Sequence, residues 1–315
     1  MAARVACERG ERMSRHGFVR AALDEFETAI SSTGLSSGLD ALRRRLAIER
    51  QRQSPESWRT CCEEVVGHPA LHTLLQDPYS RDARRKPSGY PGDARTLDYV
   101  YLRSYGDQAV SEAGQALFAL TTGVPIASAV RDRCRRLADH IADDAARHRT
   151  VVSVACGHAR ELDLIPAGLT AEIRFWGIDH DEQSVASARR RRPGDCFEVG
   201  SVRALLQGIR RLPPGDLVYA SGLFDYLDDR LAVALLKRMF QAVAPGGRVI
   251  VANLTPANDE IAYMEAVMDW WMCYRDQAAL LDVARSAGLT DREHHVTAHT
   301  TSDGRVAWLQ IDRAS

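Results

Sequence analysis

Gly157 and Asp179 stand 22 positions apart, the first just beyond the apolar run TVVSVA (150–155) and the second closing the run RFWGID (174–179). A glycine beyond a strand lets the backbone approach a ligand and swing into the next helix, whose free amides face it. A carboxylate ending the neighbouring strand accepts both hydroxyl protons of a ribose. The first turn, Ala155-Cys156-Gly157-His158-Ala159-Arg160-Glu161, is not GxGxxG, so its ligand reads as a nucleoside rather than a dinucleotide. Ala155, Cys156, Gly157, Glu161, Asp179 and the following His180 form the first half of this candidate site. The run CFEVG (196–200) leads into Ser201 and Val202, a small hydroxyl and a backbone amide suited to a base edge. The run DLVYAS (216–221) ends at Ser221 and Gly222, and Leu223-Phe224-Asp225-Tyr226 follows beside the reactive end of the ligand.

Those residues need a scaffold that brings strand ends together. Short continuous apolar runs alternating with helical stretches predict a parallel sheet covered on both faces, with ligands beyond its carboxyl ends. A fifth strand reads as GRVIVANL (247–254). DREHHVTAH (291–299) and RVAWLQID (305–312), joined by TTSDG, predict a closing antiparallel hairpin. Before residue 150 the pattern is helical. Phe18, Ala21, Ala22, Phe26 and Ile30 recur at helical spacing, as do Leu39, Leu42 and Leu46. Ser54 before Pro55 predicts a helix start, and SRDARRKPSGYPGD (80–93) reads as a loop. The organisation expected is a helical domain over 1–122 and a sheet domain over 123–315.

The 315 residues, 45% hydrophobic and 26% charged, suit a globular chain able to bury a real core. Lys and Arg number 41 against 42 acidic residues, and a net charge of -1 exerts no general pull on nucleic acid or anionic membrane. Arg189 to Arg192 read as cations suited to the end of a helix. Cys7, Cys61, Cys62, Cys134, Cys156, Cys196 and Cys273 show no CxxC spacing, which favours a reducing cytoplasm over a disulfide framework or zinc ribbon. No apolar stretch reaches the roughly 18 residues a membrane span needs. His294 falls on the opposite strand face from His295 and His299, with no acidic or cysteine partner at ligand spacing, so no metal site is expected.

In order, VVSVACG, GIDHD, VGSV, DLVYASGLFDYL and APGGRVIVANL resemble the motifs of class I S-adenosylmethionine-dependent methyltransferases over about residues 125–315. KPSGYPGD (86–93), AVRDR (129–133), GLFDYLDD (222–229) and MDWWMCYRD (268–276) add a resemblance, over most of the chain, to bacterial proteins of 3-hydroxypalmitic acid methyl ester biosynthesis. Two departures stand out: His158 and Ala159 replace the usual second glycine, and Ser201 stands where many such enzymes carry aspartate. The resemblance implies a Rossmann-like, seven-stranded, mostly parallel sheet behind an all-helical N-terminal lid domain. It also implies S-adenosylmethionine as co-substrate and methyl transfer to a small carboxylate or hydroxy acid of specialised metabolism.

Under that resemblance Arg131 meets the methionyl carboxylate, and Tyr90, Tyr226, Trp270, Trp271 and Tyr274 supply aromatic faces for the sulfonium. Arg275 is a candidate carboxylate clamp, and Tyr90 and Asp93 are candidate lid residues. A carboxylate acceptor needs no general base; for an alcohol or amine the candidates are Asp93, Asp225 and His158. Two rival readings stay open: a cyclase converting S-adenosylmethionine itself to azetidine-2-carboxylate and methylthioadenosine, and a non-catalytic sensor of an adenosine ligand.

Overall fold

The computed structural model describes residues 17–143, 150–290 and 293–315. Cys7, the helical pattern over 144–147 and the first two residues of DREHHVTAH lie outside the described residues. The chain divides into two compact units, described here one at a time: residues up to Ser128 together with Asp259–Trp271, and Ala129–Asn258 together with Met272–Ser315. The division falls inside the helix Pro125–Asp143 rather than at 122, and the first unit takes a second piece of chain from far downstream.

Every element of secondary structure among the first unit's described residues is a helix. Its first helix, Phe18–Thr33, buries Val19, Ala22, Leu23 and Phe26, a stripe rotated slightly from the one expected through Phe18, Ala21 and Ile30. Leu39, Leu42 and Leu46 are buried as their spacing requires. Ser54 caps the helix Pro55–Glu63 by accepting from Ser57 N, with proline at its first position. The expected loop over 80–93 is shorter than the sequence suggested. Asp77 caps a helix over Pro78–Arg85 by accepting from the amides of Tyr79 and Ser80, which confines the irregular stretch to about 86–93. The Gly and Pro signal was real, but the cap upstream of it outweighs the run of polar residues.

Asp259–Trp271 is bound into this unit through side chains from three of its helices or their ends. Glu265 accepts from Arg50 at 2.6 Å and from Trp58 Nε1 at 2.7 Å, and Glu260 pairs with Arg43 at 2.9 Å. Arg84 donates to the carbonyls of Ala266 and Val267, and Lys86 pairs with Asp269.

The second unit holds one seven-stranded sheet: β1 (Thr150–Val154), β2 (Arg174–Asp179), β3 (Cys196–Val199), β4 (Gly215–Ser221), β5 (Val243–Leu254), β6 (His295–Thr300) and β7 (Val306–Asp312). Their spatial order is β3-β2-β1-β4-β5-β7-β6. β1 to β5 are mutually parallel, and β7 lies antiparallel between β5 and β6. Strand order therefore reverses between β1 and β4, where an open parallel sheet leaves a crevice for ligand. Val151, Val152, Val218, Val249 and Val251 are fully buried, as expected for strands covered on both faces. No single helix among the described residues is long and apolar enough to cross a membrane.

Candidate active site

The turn after β1 is sharply bent. Ala155, Gly157 and Ala159 all take left-handed backbone angles, with φ of 57°, 52° and 49°. Glycine adopts that region freely, whereas each alanine there costs roughly 1–2 kcal/mol. Strain of this kind concentrates at functional sites. The bend turns Gly157 N toward the end of β2, where it donates to Asp179 Oδ2 at 2.8 Å. Asp179 Oδ1 accepts from Asp181 N at 3.0 Å and faces His180 Nδ1 at 3.3 Å. The carboxylate is thus 2% exposed and fixed by two amides. Each carboxylate oxygen has two acceptor sites, so both retain capacity for a ligand hydroxyl.

Beside Asp179 opens a cavity of about 230 Å³, with apolar walls from Val154, Ile178, Val202, Leu205 and Leu223. Its polar margin comprises Asp179, His180, Ser201 and Arg203, and Ala155 and Gly200 complete the lining. That volume falls below the roughly 300–1,000 Å³ of a drug-sized pocket, so it suits one portion of a ligand. Ser201 serves the local structure too, since its hydroxyl caps the helix Val202–Leu206 by accepting from Ala204 N at 3.2 Å.

Cys156 and Glu161 of the first turn face inward. The Cys156 side chain is buried, and burial pushes its thiol well up, which removes it as a nucleophile. Glu161 accepts from the hydroxyl of Tyr219 on β4, and burial raises its carboxyl above the usual range. Its part in the site is to tie the turn after β1 to β4, not to reach toward a ligand.

At the end of β4, Gly222 takes φ of 101°, and a Cβ there would lie 3.0 Å from a terminal nitrogen of Arg133. Ser221 and Gly222 are half-buried. Arg133 is 3% exposed and pairs with Asp225 Oδ2 at 3.3 Å. Asp225 Oδ1 accepts from Leu254 N at 2.7 Å. Burial drives the Asp225 carboxyl up to about 6, with the Arg133 charge pulling the other way. Arg275 serves the same turn. It donates to the carbonyls of Phe224 and Leu227, to Asn253 Oδ1 and to Asp229. A guanidinium committed on all three nitrogens is a brace, and the clamp role expected for it gives way to positioning. Tyr226 and Tyr274 are half-buried in this unit, as is Arg131.

Sequence reading chose Arg131 and passed over Arg133. A signal was present: Arg133 falls on the stripe of Val130, Cys134, Leu137 and Ile141, and an arginine inside an apolar stripe requires a buried partner.

Tyr90, Asp93, Trp270 and Trp271 belong to the first unit. Asp93 is fully buried; it caps the helix Ala94–Leu102 through Thr96 N at 2.7 Å and also accepts from Ser88 N. That placement removes it as a general base. Trp270 is core, edge-on to Tyr79 at 6.1 Å. Trp271 lies under the Arg59 guanidinium at 4.1 Å and donates to Asp269. The aromatic cage expected of these indoles is therefore a set of packing contacts. Tyr90 is half-buried on the loop that Asp93 pins. The same unit juxtaposes Asp24, Glu27 and His68. His68 Nδ1 accepts from Ala70 N as the cap of the helix Pro69–Leu74, so the ring proton sits on Nε2 facing Asp24.

Residues 152–249 match the family described as "Methyltransferase domain". Among characterised relatives, trans-aconitate 2-methyltransferase of Methylobacterium nodulans is 33% identical over 121 residues, covering 38% of this chain and 44% of that protein. The enzyme of the same name from Rhizobium leguminosarum bv. trifolii is 31% identical over 103 residues, covering 33% and 38%. The chain thus spans less than half the length of these relatives. A crystal structure from Bordetella parapertussis, described as a possible exported protein, shares the fold with a TM-score of 0.57 at 18% identity, covering 84% of this chain and all of that one.

Proposed function

We propose that this protein is an S-adenosylmethionine-dependent methyltransferase acting on a small carboxylate. The observation that carries the reading is the amide-fixed carboxylate of Asp179 at the carboxyl end of β2, beside a cavity of nucleoside scale. Those residues fit the donor: Asp179 takes the ribose hydroxyls, the apolar walls take the base, and Ser221 and Gly222 lie at the adjoining strand end. The bound donor supplies an electrophilic methyl carbon on a sulfonium. An acceptor oxygen forms a bond to that carbon as the carbon–sulfur bond breaks, giving a methyl ester and S-adenosylhomocysteine.

The chain's contribution is placement. Holding the reacting atoms about 3–3.5 Å apart supplies roughly 7–11 kcal/mol of the barrier. Two of the three base candidates, Asp93 and Asp225, are buried and committed to partners in the fold. An acceptor already ionised at neutral pH asks nothing of them, which favours a carboxylate over an alcohol. The partial matches to trans-aconitate 2-methyltransferases support the same acceptor class. The motifs at 86–93 and 268–276 nominate 3-hydroxypalmitate as a second acceptor of that class. The six free cysteines among the described residues fit work in the cytoplasm.

The test is incubation with S-adenosylmethionine alone and with trans-aconitate or 3-hydroxypalmitate, products resolved by mass. Methyl ester and S-adenosylhomocysteine appearing only with an acceptor are expected. Methylthioadenosine formed without an acceptor would overturn methyl transfer, and binding without turnover under every condition would leave only a sensor.

A further inference from the structure

The arginine run 189–192 closes the helix Glu182–Arg191, where cations suit the dipole, yet two of its guanidiniums are engaged by backbone carbonyls elsewhere in the unit. Arg189 donates through Nε and Nη2 to the carbonyl of Phe197 on β3. Arg191 reaches the turn after β1: its Nη1 donates to the carbonyl of His158 at 2.5 Å, and its Nη2 pairs with Asp163. That carbonyl belongs to the peptide joining His158 to Ala159, and the N–H of the same peptide donates to Cys156 O at 2.8 Å. The peptide is thus pinned at both ends. Its plane sets the φ of Ala159, held at 49°, where glycine is at ease and alanine is strained. The short helix Arg160–Leu164 starts from Ala159 with no side-chain cap, so its own entry does not fix that plane. The helix Glu182–Arg191 also governs the other half of the site, because Asp181, its N-cap, donates its amide to Asp179.

Resting on the donor reading proposed above, we infer that Arg191 is a positioning residue: it holds the 158–159 peptide in the strained orientation that keeps Gly157 at the carboxylate of Asp179 before the donor arrives. Without the guanidinium, relief of strain at Ala159 favours a turned-over peptide by roughly 5–30-fold in population. The apparent dissociation constant of the donor then rises by the inverse of the competent fraction.

Calorimetric titration of the full chain with S-adenosylhomocysteine tests this as a double-mutant cycle. Arg191→Met should raise the dissociation constant about 5–30-fold. In an Ala159→Gly background, where the left-handed angle carries no penalty, the same change should cost less than about threefold. Hydrogen exchange of the Arg191→Met chain should accelerate at the Ala159 amide while β1 and β4 keep their protection. Unchanged affinity on Arg191→Met overturns the inference. An equal loss in both backgrounds, or exchange accelerated throughout the strands, assigns the effect to charge or to general stability and overturns it as well. Each of these outcomes leaves the methyltransferase reading intact. Failure of the unaltered protein to bind S-adenosylhomocysteine overturns the donor assignment, and the inference with it.

Discussion

Asp179 combines near-complete burial with two amide donors, so its carboxylate is held ready before any ligand arrives. Hydrogen bonds to a charged group contribute about 1.5–3 kcal/mol each, and two ribose hydroxyls amount to at least a hundredfold in affinity. Asp179→Ala should weaken S-adenosylhomocysteine by that factor in a calorimetric titration; unchanged affinity would refute the ribose assignment. Asp225 makes a different prediction. Its folded carboxyl titrates at about 6, above the usual 3.8, so the native state binds the proton more tightly than the unfolded chain. The stability this confers is complete below pH 4 and is lost as pH rises through about 6. Urea melts of the unaltered protein should lose stability over that window relative to Asp225→Asn, whose neutral side chain has no proton to release. A constant gap between pH 4 and 7 would remove Asp225 as the titrating group.

At the scale of elements, the turn Leu223–Tyr226 hangs on two buried arginines from distant chain positions, Arg133 holding the side chain of Asp225 and Arg275 the flanking carbonyls. Arg275→Met leaves the carbonyls of Phe224 and Leu227 and the Asn253 oxygen without this donor, and stranded buried acceptors cost about 1–3 kcal/mol each. The melting temperature should fall by at least roughly 6–12 °C, and amide exchange across 222–228 should accelerate. Lys should rescue little, because a point charge cannot span both carbonyls. The strands themselves were legible, because apolar runs of four to eight residues between helical stretches have one economical packing. Gly157 and Asp179 were legible for the same reason, lying where strand ends converge. Arg275 and Asp93 were legible as candidates but not in role. Whether a charged side chain faces a ligand or its own backbone depends on where the next turn sends its carbonyls and amides, and no spacing rule records that.

The whole molecule shows why MDWWMCYRD misled: it straddles the division between units, with Trp270 and Trp271 built into the helical unit and Tyr274 and Arg275 into the sheet unit. Long-range pairs such as Glu265 with Arg50 and Trp58, more than two hundred positions away, leave no periodicity to detect. The consequence concerns truncation. A chain of residues 123–315 has the whole sheet yet retains Asp259–Trp271 stripped of Arg43, Arg50, Trp58, Arg84 and Lys86. Tyr263, Met264, Val267, Met268 and Trp270, all buried in the intact chain, would lose these neighbours, and Glu265 its donors. An exposed apolar segment of that kind promotes association. The truncated chain should therefore aggregate, whereas the same chain with 259–271 replaced by a short Gly/Ser linker should remain monomeric in sedimentation and unfold cooperatively. Equal solubility of the two truncated chains would show that the segment has no need of the helical unit. Aggregation of both would show that the sheet unit depends on more of the helical unit than this segment.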